Sequence, residues 1–173
     1  AVGSYDLGIF SSNDGSNKTL KKIEDNEAEI VFLFGQDNLK IKKNNEFLIY
    51  IGSHGDLGAG MADLILPGAA YTEQDGYFTN LEGKLQKAYK ASYPPGEAKE
   101  DWQIINELSA AISGKALFDN KTVLIKSMHD YLNNENNKKF EVPSYNLSNE
   151  KILVEDIDYY YSNTIARASK TMS

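Results

Sequence analysis

Three short apolar runs, each closed by glycine or proline, dominate the first part of the chain. Ile30-Val-Phe-Leu-Phe34 ends at Gly35, Phe47-Leu-Ile-Tyr-Ile51 ends at Gly52, and Leu64-Ile-Leu66 stops at Pro67-Gly68. Strands of parallel sheets read as continuous apolar runs when both sheet faces are covered. Glycine frees the backbone to turn, and proline removes a ladder donor. The runs therefore predict a small parallel sheet, with the first of them a buried strand. Ahead of it, Leu20 and Ile23 share one face of a helix predicted over Lys18–Asp25. Val2, Leu7, Ile9 and Phe10, followed by the polar stretch Ser11–Asn17, read as the frayed edge of something larger.

Beyond the third run the punctuation changes. Asp75-Gly76 is a turn dipeptide and Tyr77-Phe-Thr79 has strand propensity up to the break at Gly83, which predicts a strand or hairpin. After Pro94-Pro-Gly96, the acids Glu97, Glu100 and Asp101 suit a helix N-terminus, where unpaired N–H groups favour negative charge. That helix is expected to reach Ser113, to pack through Trp102, Ile105, Leu108 and Ile112, and to end at Gly114 in a positive-φ turn. A second helix over Lys121–Leu132 gathers Leu124, Met128, Tyr131 and Leu132, with Asn120 as its N-cap. Asn133–Lys139 reads as a solvated linker, Glu141–Leu147 as extended or irregular around Pro143, and the tail from Ile157 as tyrosine-rich. The expectation is an α/β fold: a short, mostly parallel sheet with flanking helices plus an irregular C-terminal tail. Residues 1–114 form its α/β part and 115–173 a helical and extended region.

Composition narrows the chemistry. The chain has no cysteine, which excludes disulfides and cysteine-held iron–sulfur clusters within it. A formal charge of -7 opposes a phosphate backbone, so nucleic acid is not an expected partner. The apolar runs fall far short of the ~20 residues that span a bilayer, so direct membrane insertion is not expected. The chain opens on Ala1 without a basic, apolar leader, which reads as a boundary rather than a start or a secretory signal. Asn-x-Ser/Thr triplets at Asn17, Asn120 and Asn146 read as coincidence in so asparagine-rich a chain.

The densest motif is the glycine-rich segment Gly52–Gly68, at the end of one strand and the start of the next, where α/β sheets bind ligands. As a phosphate cradle it is incomplete: Gly58-Ala-Gly60 lacks the third glycine of the dinucleotide fingerprint, and no Gly-Lys-Ser/Thr follows. His54, Asp56, Asp63 and Glu73 offer an imidazole and three carboxylates, but their spacing matches no zinc motif. The alternative is structural, with these residues capping turns and Asp63 accepting hydrogen bonds from loop N–H groups that burial would leave unpaired. His129 reads as a packed or solvated side chain. Tyr159-Tyr-Tyr161 suits either an interface anchor or closure of the domain's own core.

In order along the chain stand Tyr50-Ile-Gly-Ser-His-Gly-Asp-Leu-Gly-Ala59, Ala62-Asp-Leu-Ile-Leu-Pro-Gly-Ala-Ala-Tyr-Thr-Glu73, Asn80-Leu-Glu-Gly-Lys-Leu-Gln86 and Pro94-Pro-Gly-Glu-Ala-Lys-Glu-Asp-Trp102. Together they resemble the large iron–sulfur subunit of respiratory complex I, whose C-terminal half is related to molybdopterin oxidoreductases. Ile165-Ala-Arg-Ala-Ser-Lys-Thr-Met172 resembles that family's tail, and Val2–Phe10 an internal segment of it; 115–151 carries no distinguishing motif. Two departures stand out: Lys84 occupies a position where arginine is usual, which weakens any bidentate contact there, and Ser53 replaces other residues of the loop.

The resemblance implies part of a molybdopterin-oxidoreductase-like domain, structural in role, from an NADH-quinone oxidoreductase that couples electron transfer to proton translocation. It implies no catalytic, cofactor-binding or metal residues in this chain and no cofactor in it. The 4Fe-4S and 2Fe-2S clusters are expected in the N-terminal part of the parent subunit. The implied partners are the other peripheral-arm subunits of complex I. The implied location is peripheral, on the cytoplasmic face of a bacterial inner membrane, or the matrix side in a mitochondrion. Two other readings are a fragment of a molybdopterin-dependent oxidoreductase such as a formate dehydrogenase, motivated by Asn80–Gln86, and a free-standing acidic α/β binding module.

Overall fold

The computed structural model describes residues 2–9, 15–37, 41–135, 160–161 and 163–171. The three apolar runs form strands β1 (Ile30–Phe34), β2 (Phe47–Gly52) and β3 (Leu64–Pro67) of one parallel sheet, with β2 in the centre. Ile30 aligns with Phe47, and Ile49 with Leu64. Because side chains alternate across a strand, β2 sends Leu48 and Tyr50 to one face and Ile49 and Ile51 to the other, and all four are buried.

Each face has its own cover. Helix α2 (Gly15–Glu24) and the one-turn helix α3 (Leu57–Met61) lie over the first face. There Ile23, Val31, Leu33, Ile41, Leu48 and Tyr50 form a core with Leu20, Ala59 and Met61 packed against it. Helix α4 (Asp101–Ser113) covers the second face, where Ile104 and Leu108 meet Ile49, Ile51 and Leu66. The helix begins where Gln103 accepts a hydrogen bond from the Glu100 N–H at 3.2 Å, and it ends at Gly114, whose φ of 75° is the left-handed turn expected there.

Two expectations about burial need correction. The first run predicts a buried strand, but β1 is an edge strand covered on one face only: Val31 and Leu33 are buried, whereas Ile30, Phe32 and Phe34 are exposed. A continuous apolar run carries no information about which face is covered. On α4, the expected face of Trp102, Ile105, Leu108 and Ile112 is rotated. The buried residue is Ile104, whereas Ile105 and Ile112 are exposed. Ile104, Leu108 and Ala111 follow the i, i+4, i+7 line, and Ile105 lies one residue, about 100°, off it.

The later part of the chain builds against a second small sheet. Strands β4 (Gly76–Thr79) and β5 (Leu85–Ala88) form the expected antiparallel hairpin. Asn80 closes its turn, its side-chain oxygen accepting from the N–H groups of Glu82 (3.0 Å) and Lys84 (2.9 Å). Helix α1 (Val2–Asp6) replaces the frayed edge expected there and lies against β4. Helix α5 (Lys121–Glu135) carries the expected cap, with Asn120 accepting from the Val123 N–H at 3.1 Å. It runs past Leu132, so the expected linker begins inside the helix; its remainder and Glu141–Leu147 lie outside the described residues. Asn106 bonds both the N–H and the carbonyl of Phe118 at 2.9 Å, and Lys121 pairs with Glu100, fixing the α4–α5 turn. The tail includes a short helix, α6 (Thr164–Ala168).

The two-sided burial of β2 sets the expected mutational pattern. Leu48→Ala, at a side chain with 0% exposure, should cost about 2–5 kcal/mol in urea unfolding. Ile112→Ala, at a side chain with 80% exposure, should stay within about 0.5 kcal/mol.

Candidate functional site

The C-terminal ends of the parallel strands are where an α/β sheet offers a crevice. Here the crevice measures about 220 Å³ and is lined in part by Phe34, Ser53, Ala70, Tyr71, Asp101 and Asn163. The strand-end loops supply most of the wall, and the start of α6 closes one side. Burial raises the pKa of the Asp101 carboxyl, opposed by a hydrogen bond from the Gln74 side chain.

Behind this crevice the glycine-rich loop is seated by Asp37, which is 2% exposed. Its side-chain oxygen accepts the Asp56 N–H at 2.7 Å, and its carbonyl accepts the Gly58 N–H at 3.0 Å. Gly58 must be glycine because a Cβ there would lie 2.6 Å from the Gln36 carbonyl oxygen, a backbone atom that cannot swing aside. The Tyr50 hydroxyl donates to the His54 carbonyl. Its pKa is raised first by burial and then by the negative charge of Asp37. From α6, Arg167 reaches into the same place: a terminal guanidinium nitrogen lies 3.8 Å from Asp37 Oδ2, and Nε lies 4.0 Å from Asp56 Oδ2.

The candidate residues do not converge. His54 lies at the C-terminal end of β2, its ring 3.0 Å from Ser53 Oγ. Asp63 stands at the opposite end of that strand, before β3. Its Oδ2 accepts the Leu48 N–H at 2.8 Å, its own N–H donates to the Leu48 carbonyl at 2.8 Å, and its Oδ1 meets Lys43 Nζ at 2.5 Å. Asp63 thus accepts a backbone N–H, but that N–H belongs to the neighbouring strand and not to the loop expected from the sequence. Glu73 accepts the Ala70 N–H at 2.9 Å. His129 packs edge-on against Tyr77, with ring centroids 5.3 Å apart. Tyr160 is exposed and Tyr161 half-buried, while Tyr159 lies outside the described residues.

A phosphate or similar anion at strand ends is held by backbone N–H groups left pointing into the crevice. Here Gly35 N–H donates to Ile51 O (2.8 Å), Gly68 N–H to Gly52 O (3.0 Å) and Ala69 N–H to Lys99 O (2.8 Å). The N–H groups of Ala70, Asp56 and Gly58 are taken by Glu73 and Asp37. Carboxylates and carbonyls of the chain thus occupy these six donors. Among the described residues, no group of three or more His, Asp or Glu side chains is placed to hold a metal ion.

Sequence reasoning missed Asp37 and Arg167. Each sits alone among ordinary neighbours, and 130 residues separate them, so no spacing rule joins them. The available signal was weaker: an aspartate just after an apolar strand and Gly35, and an arginine inside an otherwise small-residue tail.

Two outcomes follow from this geometry. The Leu48 N–H, then Lys43, holds the Asp63 carboxyl below its ordinary pKa. Its contribution to stability is therefore complete above the unfolded pKa of about 3.9 and is lost as the pH falls through the folded value. Asp63→Asn should lower the urea midpoint at pH 7, and the gap to the parent protein should close in acid. Gly58→Ala should destabilise the chain in the same assay by displacing α3 from the Gln36 carbonyl.

Comparison with known proteins places this geometry. The chain is 41% identical over 181 residues to a subunit of the NADH-quinone oxidoreductase of Rickettsia bellii (strain RML369-C), covering 99% of this chain and 25% of that protein. It is 36% identical over 186 residues to the NADH-ubiquinone oxidoreductase 75 kDa subunit of Reclinomonas americana, covering 100% of this chain and 26% of that one. It is 35% identical over 192 residues to the mitochondrial NADH-ubiquinone oxidoreductase 78 kDa subunit of Candida albicans (strain SC5314 / ATCC MYA-2876), covering 99% and 25%. The chain thus spans about a quarter of the length of these curated relatives. The sequence model of the molybdopterin oxidoreductase family matches residues 1–111, well over half of the chain and the whole of the parallel sheet, and the chain belongs to that family.

Proposed function

We propose that this chain is the structural C-terminal portion of the large iron–sulfur subunit of a proton-translocating NADH-quinone oxidoreductase. The observation that carries the reading is the match itself: 35–41% identity extends over 99% or more of this chain to proteins named as subunits of that enzyme. The chemistry of the chain agrees with a scaffold. It has no cysteine to hold a cluster, and the strand-end N–H groups named above are bonded within the chain. In this reading the 4Fe-4S and 2Fe-2S clusters belong to the rest of the parent subunit, and electron transfer from NADH to quinone runs through that part. The catalysis is the assembly's, and the fragment alone is inactive.

The partners in this proposal are the other peripheral-arm subunits. No described helix is long and apolar enough to cross a membrane, which fits attachment through neighbours. The side is proposed as the cytoplasmic face of a bacterial inner membrane, or the matrix side if the parent is mitochondrial. The domain division is proposed as 1–114 and 115–173.

The test uses the full-length parent. Affinity purification should bring down other complex subunits together with iron, and removal of the region equivalent to this chain should reduce NADH oxidation by membranes to background. The isolated chain should oxidise no NADH. Stoichiometric molybdenum or tungsten in the purified parent would instead favour a molybdopterin-dependent oxidoreductase. A parent that purifies alone and without iron would favour a free-standing binding module.

A further inference from the structure

Helix α6 has five residues, far too few to persist without support. Its own backbone bonds are local: Ala166 N–H donates to Asn163 Oδ1 (2.9 Å), Arg167 N–H to Asn163 O (3.1 Å) and Ser169 N–H to Ala166 O (3.2 Å). A guanidinium nitrogen of Arg167 also donates within the tail, to the Tyr161 carbonyl at 3.1 Å. Among the described residues, two kinds of contact join residues 163–168 to the sheet. Asn163, Thr164 and Ile165 form part of the crevice wall, and Arg167 projects between Asp37 and Asp56.

The ion pairs have an unusual character. Asp37 is almost wholly buried, and Arg167 Nε is buried without a hydrogen-bond partner. The separations of 3.8 and 4.0 Å lie beyond hydrogen-bond range. The cation therefore lies in the field of one buried carboxylate, Asp37, and one exposed to solvent, Asp56, without the two-point geometry that would lock it. Asp37 has its own duties in seating the glycine-rich loop through Asp56 and Gly58. The same residue thus seats the loop, through its side chain to Asp56 and its carbonyl to Gly58, and attracts the tail through its carboxylate.

We propose that residues 163–168 are a detachable strap across the ligand end of the parallel sheet, latched by Arg167 against Asp37 and Asp56. Among the described residues, the main-chain bonds of 163–168 stay within the tail, so release of the strap breaks no sheet ladder and opens the crevice beside Phe34, Ala70 and Asp101. This inference concerns the chain's own residues and does not depend on the enzyme assigned above.

Amide hydrogen exchange on the full-length parent tests it. The amides of Ala166, Arg167 and Ser169 report the strap, and those of Ile49 and Ile51 report the central strand. Arg167→Gln should accelerate strap exchange about tenfold or more while leaving the central strand unchanged. Arg167→Lys, which keeps the charge, should fall between it and the parent. Lys170→Gln, an exposed charge removed from the same tail, should change neither. Asp37→Asn combined with Arg167→Gln should release the strap no further than the more effective single change, because the two act through one interaction. Unchanged strap exchange in Arg167→Gln would overturn the proposal. So would a parallel rise at Ile49 and Ile51, since Arg167 would then support the core instead of latching a strap. If Asp37→Asn disturbs the loop, the graded comparison of Arg167→Lys and Arg167→Gln still decides.

Discussion

Everything in the larger half of the molecule is arranged around the burial of β2 on both faces. A strand whose successive side chains point to opposite sides needs two separate covers. The chain supplies them from opposite directions: α2 and α3 over Leu48 and Tyr50, and α4 over Ile49 and Ile51. This constraint explains the order of elements. The crossover from β2 to β3 must carry cover for the first face, so even the five-residue α3 contributes Ala59 and Met61. The chain must then return as α4 to close the second face, and the bridge between Gly68 and Lys99 marks where it does so.

The sheet was legible because its signal is local. Each strand is a contiguous apolar run with a breaker behind it, and β1, β2 and β3 match those runs. What the runs could not convey is the environment of each face. Ile30, Phe32 and Phe34 are as apolar as Val31 and Leu33, yet only the second pair joins the core beneath α2. The face of α4 was misphased for a related reason: with Ile104 and Ile105 adjacent, periodicity supports either, and contact with Ile51 decides. Helix α3 left no trace because Leu57-Gly-Ala-Gly-Met61 contains two glycines, among the poorest helix formers. It exists because Asp37 and Gln36 provide a seat into which only a glycine-bearing turn fits.

The candidate site divides the same way. Asp63 was partly legible because it directly precedes a strand, and its carboxylate accepts an N–H at the start of the central strand, just before the β2–β3 pairing begins. Asp37 and Arg167 were not, because their meaning lies in a contact between distant segments. A buried carboxylate is intelligible only once its partners are known, and for Asp37 these are a donated N–H from the glycine-rich loop and the nearby charge of a tail cation.

The glycine-rich loop shows why motif and mechanism part company here. Glycines near strand ends are usually read as room for a ligand's phosphates, since they let backbone N–H groups approach closely. At two positions in this chain the room admits the protein itself: Gly58 accommodates the Gln36 carbonyl, and Gly68 lies where a Cβ would come 3.0 Å from Asp101 and 3.3 Å from the Gly52 nitrogen. The close approaches that these two glycines permit are already filled by backbone and by a carboxylate of the same chain. A loop built in this way holds its neighbours in place, and the acidic residues beside it act as acceptors for the backbone. Their partners are N–H groups and a tail arginine.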